Sequence, residues 1–399
     1  MARLLEHDAK VLLAARGVPV PTGDAASTPA EAAAIARSLS GPVAVKALVP
    51  VGHRAKAGAV RRCADPVDAE KATEALLGQS IGGFTVDQVR VEAWLPATAE
   101  YYLAAFFNEV TADVIVLASC SGGIEIEPAS ASERLARITI PAPFAPLPAF
   151  RARELWKQAG APSALLPTLA GVTQRALAAF FDLDALLLEL NPLIVTDQQH
   201  VFAAGAVLAV DDAALVRQPG IAERVVHGLP WRPLTPREQA VERLNQEEPY
   251  RGSARYLELD GGDIGFLCGG GGASLLLFDA LVRAGGKPAN YAELGGNPTE
   301  RKVAGLARVV LEKPGVRGLF VAHNVTNNTQ IDVIARGVVA ALQATGKLPP
   351  AFPVVAREVG LHDGVGRAIF EQAGVRWLGE DVSLDEAAAL MVSLLHEAG

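Results

Sequence analysis

Cysteine is scarce in this chain, and what there is stands isolated: Cys63, Cys120 and Cys268 lie far apart, with no CxxC and no Cys/His pairing. That excludes a disulfide framework and a zinc centre and fits a reducing cytoplasm. No uninterrupted apolar run reaches membrane-spanning length, and Met1 to Lys10 carries charges where a signal peptide needs its apolar stretch, so no membrane span and no export are expected. A surplus of positive charge is missing too. The formal net charge is -8, with Lys and Arg scattered rather than clustered, which argues against nucleic acid or an anionic membrane as the main partner. Small anionic ligands then need local sites. There is no internal repeat or low-complexity tract, and the N-x-Thr matches at Asn324 and Asn327 carry no meaning in a cytoplasmic protein.

What is present is length and apolar content. With 399 residues, 50% of them hydrophobic, the chain exceeds one ordinary core and implies two or three domains. Helical periodicity opens the chain (Leu4, Leu5, Ala9, Val11, Leu12), Gly17-Val-Pro-Val-Pro21 breaks it, and a second helix is expected over 29–39. Strands are expected over 42–49, 89–93, 101–107 and 113–118, an α+β pattern. Prolines cluster between Leu229 and Pro236, followed by a highly charged stretch to Tyr250, so a linker is expected over 229–252, between domains at 1–228 and 253–399. Beyond it, strands at 264–268, 319–323 and 353–356 alternate with helices at 274–284, 301–311, 331–344 and 364–373, which implies a parallel sheet with helices on both faces.

Several residues stand out chemically. In the second domain the strand ending at Cys268 runs into Gly269–Gly272 and a helix, a turn where backbone N–H groups can meet an anion; a tight turn needed only for packing reads equally well. Gly295-Gly296 and Asn324-Val-Thr-Asn-Asn-Thr329 follow two further strands, and ligands bind at the carboxyl ends of parallel strands. In the first domain Lys46 lies in an apolar strand, where an ammonium needs a phosphate or carboxylate, unless it snorkels to the surface. Glu189 and Asn191, two apart on the strand 186–195, share one face and could hold Mg²⁺.

Taken in order, Val45-Lys46 with Arg54-Ala-Lys-Ala-Gly58, Ser119 to Glu127, Glu189-Leu-Asn-Pro-Leu193, Arg217-Gln-Pro219, Asp260 to Gly265 and Gly286 to Asn290 resemble the beta subunit of succinyl-CoA synthetase across nearly the whole chain. The resemblance implies an α+β ATP-grasp domain followed by an α/β flavodoxin-like CoA-ligase domain. It also implies a beta-type subunit of an ADP-forming acid–CoA ligase, using ATP and Mg²⁺. In that family ATP phosphorylates a histidine on a separate alpha-type subunit, the phosphoryl group passes to a carboxylate, and CoA bound by alpha displaces it. Hence a hetero-oligomer is expected. Lys46, Arg54 and Lys56, with Glu92 and Glu100 near the adenosine, are the implied nucleotide residues; Asn191 and Glu189 are the implied metal residues.

Three departures stand beside the resemblance. The family's glycine-rich loop appears as Gly52-His-Arg-Ala55, and its metal-binding aspartate falls at Ala204. Where the family has Phe-Gly-Gly-Ile, this chain has His323 to Thr329, which looks more like the Asn-Phe-Thr-Asn segment of ATP-citrate lyase; Gly271-Gly-Ala-Ser274 and Ala289-Asn-Tyr291 are similar to that enzyme too. A substrate site of Ser274, Asn324, Thr326, Asn327 and Arg357 is implied, with Arg357 pairing bidentately with a carboxylate, and an oxygenated acid preferred over succinate. Two alternatives follow: a citryl-CoA synthetase or ATP-citrate lyase-like subunit, and a structural or regulatory subunit whose ATP-grasp domain has lost catalysis.

Overall fold

The computed structural model describes residues 2–51, 57–123, 135–226 and 232–397. The chain divides into two compact units, Met1–Pro233 and Leu234–Gly399.

The first unit holds two main antiparallel sheets. The smaller runs Gly23–Ala26, Val89–Ala93, Val43–Ala47, Val60–Cys63. Its strand Val43–Ala47 is buried at every position, which fits a run that is apolar apart from Lys46. Two helices cover it, and both begin where the sequence caps them. Thr28 accepts the Glu31 N–H ahead of Pro29–Leu39, and Asp65 accepts the Val67 and Asp68 N–H groups ahead of Pro66–Leu76. The larger sheet has eight strands among the described residues, ordered Ala136–Ile140, Asp113–Ser119, Ala99–Asn108, Ala185–Val195, Ala206–Val210, Ala2–Leu4, Val225–Val226, with Val201–Ala203 paired to Ala185–Val195. Two helices that the sequence analysis does not anticipate, Ala149–Gln158 and Leu166–Asp182, pack on it; fully buried Trp156 donates its indole N–H to Thr173 Oγ1 at 2.8 Å. The segment 94–98 joins the two sheets.

The second unit is built on a six-stranded sheet. Ala254–Glu258 forms an antiparallel edge, and five parallel strands follow: Asn290–Leu294, Ile264–Gly269, Gly318–Gln330, Val354–Leu361 and Arg376–Leu378. Numbered by sequence, the parallel strands lie in the order 2-1-3-4-5. Alternation along each strand sends side chains to two cores, one under the helices Glu300–Leu311 and Ile331–Thr345, the other under Gly272–Arg283 and Leu384–Glu397.

Part of the expected linker at 229–252 is regular structure. Residues Pro236–Glu247 form a helix, started by a capping box in which Thr235 and Glu238 satisfy each other's backbone N–H, and Glu238 Oε1 also accepts the Glu258 N–H. High charge density there marks a solvated helix face instead of a flexible connection. The segment 324–329 likewise differs from the loop expected: it continues the strand Gly318–Gln330, with register shifts after Ala322 and after Val325.

Candidate functional site

Lys46 sits on the buried strand Val43–Ala47, so its ammonium must be met within the protein. Its Nζ lies 2.7 Å from Glu92 Oε1, 3.2 Å from Glu6 Oε1 and 2.5 Å from the main-chain carbonyl of Ala204. A second ammonium shares all three partners. Lys10, fully buried, lies 2.7 Å from Glu6, 2.8 Å from Glu92 Oε2 and 2.6 Å from the Ala204 carbonyl. Arg90 completes the cluster, donating through Nε to Glu92 at 2.6 Å and through Nη2 to the Pro21 carbonyl, with His7 Nδ1 2.8 Å from its Nη1.

Burial, with a smaller effect of the nearby Lys46 charge, lowers the Lys10 pKa to about 8 against the support of Glu6 and Glu92. Burial alone would raise the Glu92 carboxyl, but Lys46 and Lys10 overcome it and hold its pKa below the ordinary value. Burial and the Arg90 charge lower the His7 pKa, so its imidazole is neutral at pH 7.

This cluster lies at one side of a cavity of about 800 Å³, lined among others by Lys46, Glu92, Glu100, Glu189, Asn191 and Ala204. Five residues expected from sequence therefore meet in one place. Arg54 and Lys56, like the loop 52–55, lie outside the described residues. The apolar walls include Val49, Leu187, Ile194 and Val207, and the connecting segment Trp94-Leu95-Pro96-Ala97 forms an edge. Trp94 is pinned by the Arg62 guanidinium, 5.4 Å from its ring. Apolar walls with a few charged and amide side chains among them are the lining that a small-molecule or cofactor site has.

The metal residues fit less well. Glu189 and Asn191 share the cavity, but Asn191 Oδ1 accepts the Gly123 N–H at 2.7 Å. Position 204 offers only a carbonyl, held by two ammonium groups. Its placement is forced: a Cβ on neighbouring Gly205 would meet the Asn191 carbonyl oxygen at 2.0 Å, so the turn packs backbone against backbone. Among the described residues no group of three or more His, Cys, Asp or Glu could hold a metal. Among the described residues, Glu189 and Asn191 do not make a Mg²⁺ centre by themselves.

In the second unit the expected substrate residues are gathered only in part. Ser274, buried at the start of the helix Gly272–Arg283, bonds to the Gly271 carbonyl and lies 2.6 Å from Tyr291 Oη. The glycine turn is met by the protein's own carboxylate: Glu293 Oε1 accepts the Gly271 N–H at 3.0 Å, while Oε2 accepts the Tyr291 hydroxyl at 3.0 Å. Arg357 donates through Nη1 to the main-chain carbonyl of His323 (2.9 Å) and through Nε to that of Val382 (3.2 Å). Thr326 Oγ1 donates to the Val359 carbonyl, and Asn324 and Asn327 are exposed. No described hydrogen bond joins Ser274 to Arg357. Burial pushes the Cys268 thiol far up, so it is no nucleophile.

Sequence reasoning missed Glu6, Lys10, Arg90 and the buried pair His323–Glu358, 2.8 Å apart. The i,i+4 spacing of Glu6 and Lys10 was a usable signal, yet it reads equally well as a surface helix pair.

The cavity between two antiparallel sheets, with a buried lysine on one of them, defines the ATP-grasp class of nucleotide-binding domain. A family model described as an ATP-grasp domain matches residues 3–195, and one described as the citrate-binding domain of ATP citrate lyase matches 232–349. The chain is 35% identical over 374 residues to the beta subunit of an ADP-forming succinate–CoA ligase from Chloroflexus aurantiacus, covering 93% of this chain and 94% of the relative. It is 34% identical to the beta subunit of a GDP-forming succinate–CoA ligase from Thermus thermophilus, covering 98% of each. In fold it is similar to ATP citrate lyase from Methanothrix soehngenii, solved with citrate and coenzyme A, with a TM-score of 0.75 at 19% identity over 98% of this chain and 99% of that one. The chain belongs to the beta-subunit family of the succinate–CoA ligases.

Proposed function

We propose that this chain is the nucleotide-binding, beta-type subunit of an ADP-forming carboxylic acid–CoA ligase, acting with an alpha-type partner that carries the phosphorylated histidine and binds CoA. One observation carries the reading: Lys46, Glu92, Glu100, Glu189 and Asn191, assembled from four strands, line a single cavity of nucleotide size. Lys46 is the group that meets a phosphate, and Glu100, beside the connector, is the group that meets the sugar. Arg54 and Lys56 are proposed to close on the phosphates. ATP is proposed over GTP, although relatives of both kinds occur. The family implies Mg²⁺ as well; with Ala204 in place, metal would be held chiefly by the nucleotide phosphates, with Asn191 and Glu189 nearby.

Strand order 2-1-3-4-5 supports a flavodoxin-like second unit, with the acid site at the carboxyl ends of its strands, around Ser274, Asn324, Thr326, Asn327 and Arg357. The match at 232–349 favours a citryl-CoA-type acid as a second reading. Against a tricarboxylate stand Glu293 and Glu358, two carboxylates at those strand ends, and the engagement of Arg357 by backbone carbonyls. Three free cysteines support a cytoplasmic setting, and among the described residues no helix is long and apolar enough to cross a membrane.

The test is to purify the chain together with an alpha-type succinate–CoA ligase subunit of the same organism. ADP release from ATP is then measured against a panel of mono-, di- and tricarboxylic acids, with and without CoA. Beyond a single equivalent released on phosphorylation of the partner histidine, continued ADP release that requires both acid and CoA is expected. Binding of the partner without any turnover would favour the non-catalytic reading, to which Ala204 points.

A further inference from the structure

We infer that Asn191 serves the nucleotide cavity as a positioning residue for Glu100, acting through the backbone of Gly123, and not as a ligand to a metal. The inference rests on the nucleotide reading of the cavity and departs from the role that the family resemblance gives this asparagine. Asn191, Gly123 and Glu100 all line the cavity, yet they come from three separate pieces of chain. Asn191 stands on the strand Ala185–Val195, between Leu190 and Leu193, where the pairing with Ala99–Asn108 shifts register, so its side chain is released from the regular alternation and can turn to Gly123. Its main chain is fixed from another side: the Asn191 N–H donates to the Gly205 carbonyl at 3.1 Å.

What the side chain grips is a single residue's backbone. Asn191 Oδ1 accepts the Gly123 N–H at 2.7 Å, and Nδ2 donates to the Gly123 carbonyl at 3.4 Å. The short bond engages the amide oxygen, the atom that Mg²⁺ would need, and the contact of Nδ2 with the carbonyl keeps the amide in that orientation. Gly123 in turn confines Glu100. Its φ is +75°, and a Cβ on it would lie 2.3 Å from Glu100 Oε2, so the Glu100 carboxylate rests on the bare Cα of the residue that Asn191 holds. Gly122 closes on the strand Ala99–Asn108: a Cβ there would lie 2.5 Å from the Tyr101 carbonyl oxygen. The turn therefore has no room to move toward the strand, and Asn191 keeps it from moving away.

The experiment is calorimetric titration of ADP into the full chain, once with Mg²⁺ and once with a chelator, with a thermal melt of each variant. Asn191→Ala releases Gly123 and is expected to weaken ADP binding about fivefold or more, the worth of one hydrogen bond. The factors in the two buffers should agree within about twofold, whereas a metal ligand would show its loss in Mg²⁺ alone. Because Asn191 acts through Glu100, the same change made in Glu100→Ala should cost less than about twofold. A merely structural asparagine would lower the melting temperature and cost the same in either background. Should Asn191→Ala not fold, Asn191→Asp carries the test, since it keeps an acceptor for the Gly123 N–H: its Mg²⁺ dependence should stay that of the parent, and a carboxylate at a true ligand position would increase it. Should the parent bind ADP only with Mg²⁺, the comparison in the Glu100→Ala background, run in Mg²⁺, decides. Parent-like binding in folded Asn191→Ala, a loss confined to Mg²⁺ where the parent also binds without it, an undiminished loss in Glu100→Ala, or a larger Mg²⁺ dependence in Asn191→Asp would each overturn the proposal. If the parent chain binds no ADP in either buffer, the nucleotide reading falls and this inference with it.

Discussion

Lys46, Lys10 and Glu92 show how a charged residue inside an apolar strand is made tolerable: each buried charge is met at 3.2 Å or less, and Glu92 serves three cations. Because the Glu92 carboxyl is held below its ordinary 4.5, the unfolded chain binds the extra proton first. The stability it contributes is therefore present above about pH 4.5 and is lost as pH falls through the folded-state value. Melting temperatures measured from about pH 6 down to about pH 3 should fall steeply for the parent and less steeply for Glu92→Gln, which starts lower. Equal slopes would mean that Glu92 is not the titrating group. Lys46→Ala should abolish nucleotide-dependent phosphorylation of the partner while the fold persists, since Lys10 and Arg90 still pair both carboxylates; phosphorylation at the parent's rate would make Lys46 structural. At position 204, Ala204→Asp should strengthen the Mg²⁺ dependence of nucleotide binding, read as a larger affinity difference with and without chelator. No change would show that the metal is held without this turn.

At the scale of elements, capping and close approach decide more than propensity. The helix Pro236–Glu247 is highly charged, and its stability comes from Thr235 and Glu238 at its start and from Val241, buried against the second unit's sheet. Thr235→Ala removes the cap and the hydroxyl's 3.0 Å bond to Glu258, and is expected to cost about 1–2 kcal/mol in a denaturant melt. A change below a few tenths would mean that the cap is redundant. The extended segment 324–330 is an element whose form follows from pairing: Val325 and Gln330 pair with Val359 and Leu361, and Thr326 ties to the Val359 carbonyl. Nearby, His323 packs on Gly269 so closely that a Cβ there would lie 1.7 Å from its ring. The first glycine of the glycine run is thus fixed by packing against histidine, and the amide of the third by Glu293.

For the whole molecule, the two units each have their own cores, and the function proposed above assigns nucleotide binding to the first and acid binding to the second. Neither unit shows a described residue set for carrying a phosphoryl group and loading CoA. His323 is buried and paired with Glu358, and Cys268 is buried with its thiol pushed up. The isolated chain is therefore expected to form no acyl-CoA with ATP, acid and CoA, and to do so only when the alpha-type partner is added. Thioester formation by this polypeptide alone, followed by mass spectrometry of the products, would reject the two-subunit reading.

Local pattern determined much of this molecule. The helices Pro29–Leu39, Glu300–Leu311 and Ile331–Thr345 and the strands Val43–Ala47, Val89–Ala93 and Ile264–Gly269 follow from periodicity, caps and largely apolar short runs, all properties of neighbours along the chain. The resemblance carried Lys46, Glu92, Glu100, Glu189 and Asn191, which fall on one cavity: the first four sit at fixed registers of paired strands, and Asn191 lies where the register shifts between Leu190 and Leu193. Only the tertiary structure decided which partners these residues meet. That Lys46 shares its carboxylates with Lys10, that Ala204 offers its carbonyl to two ammonium groups, that Glu293 occupies the glycine turn and that Arg357 turns to backbone oxygens all depend on contacts between segments tens to nearly two hundred residues apart. The physical reason is that burial makes pairing obligatory for a charge, while the sequence states only that the charge is there; the fold selects which opposite charge or carbonyl is within reach.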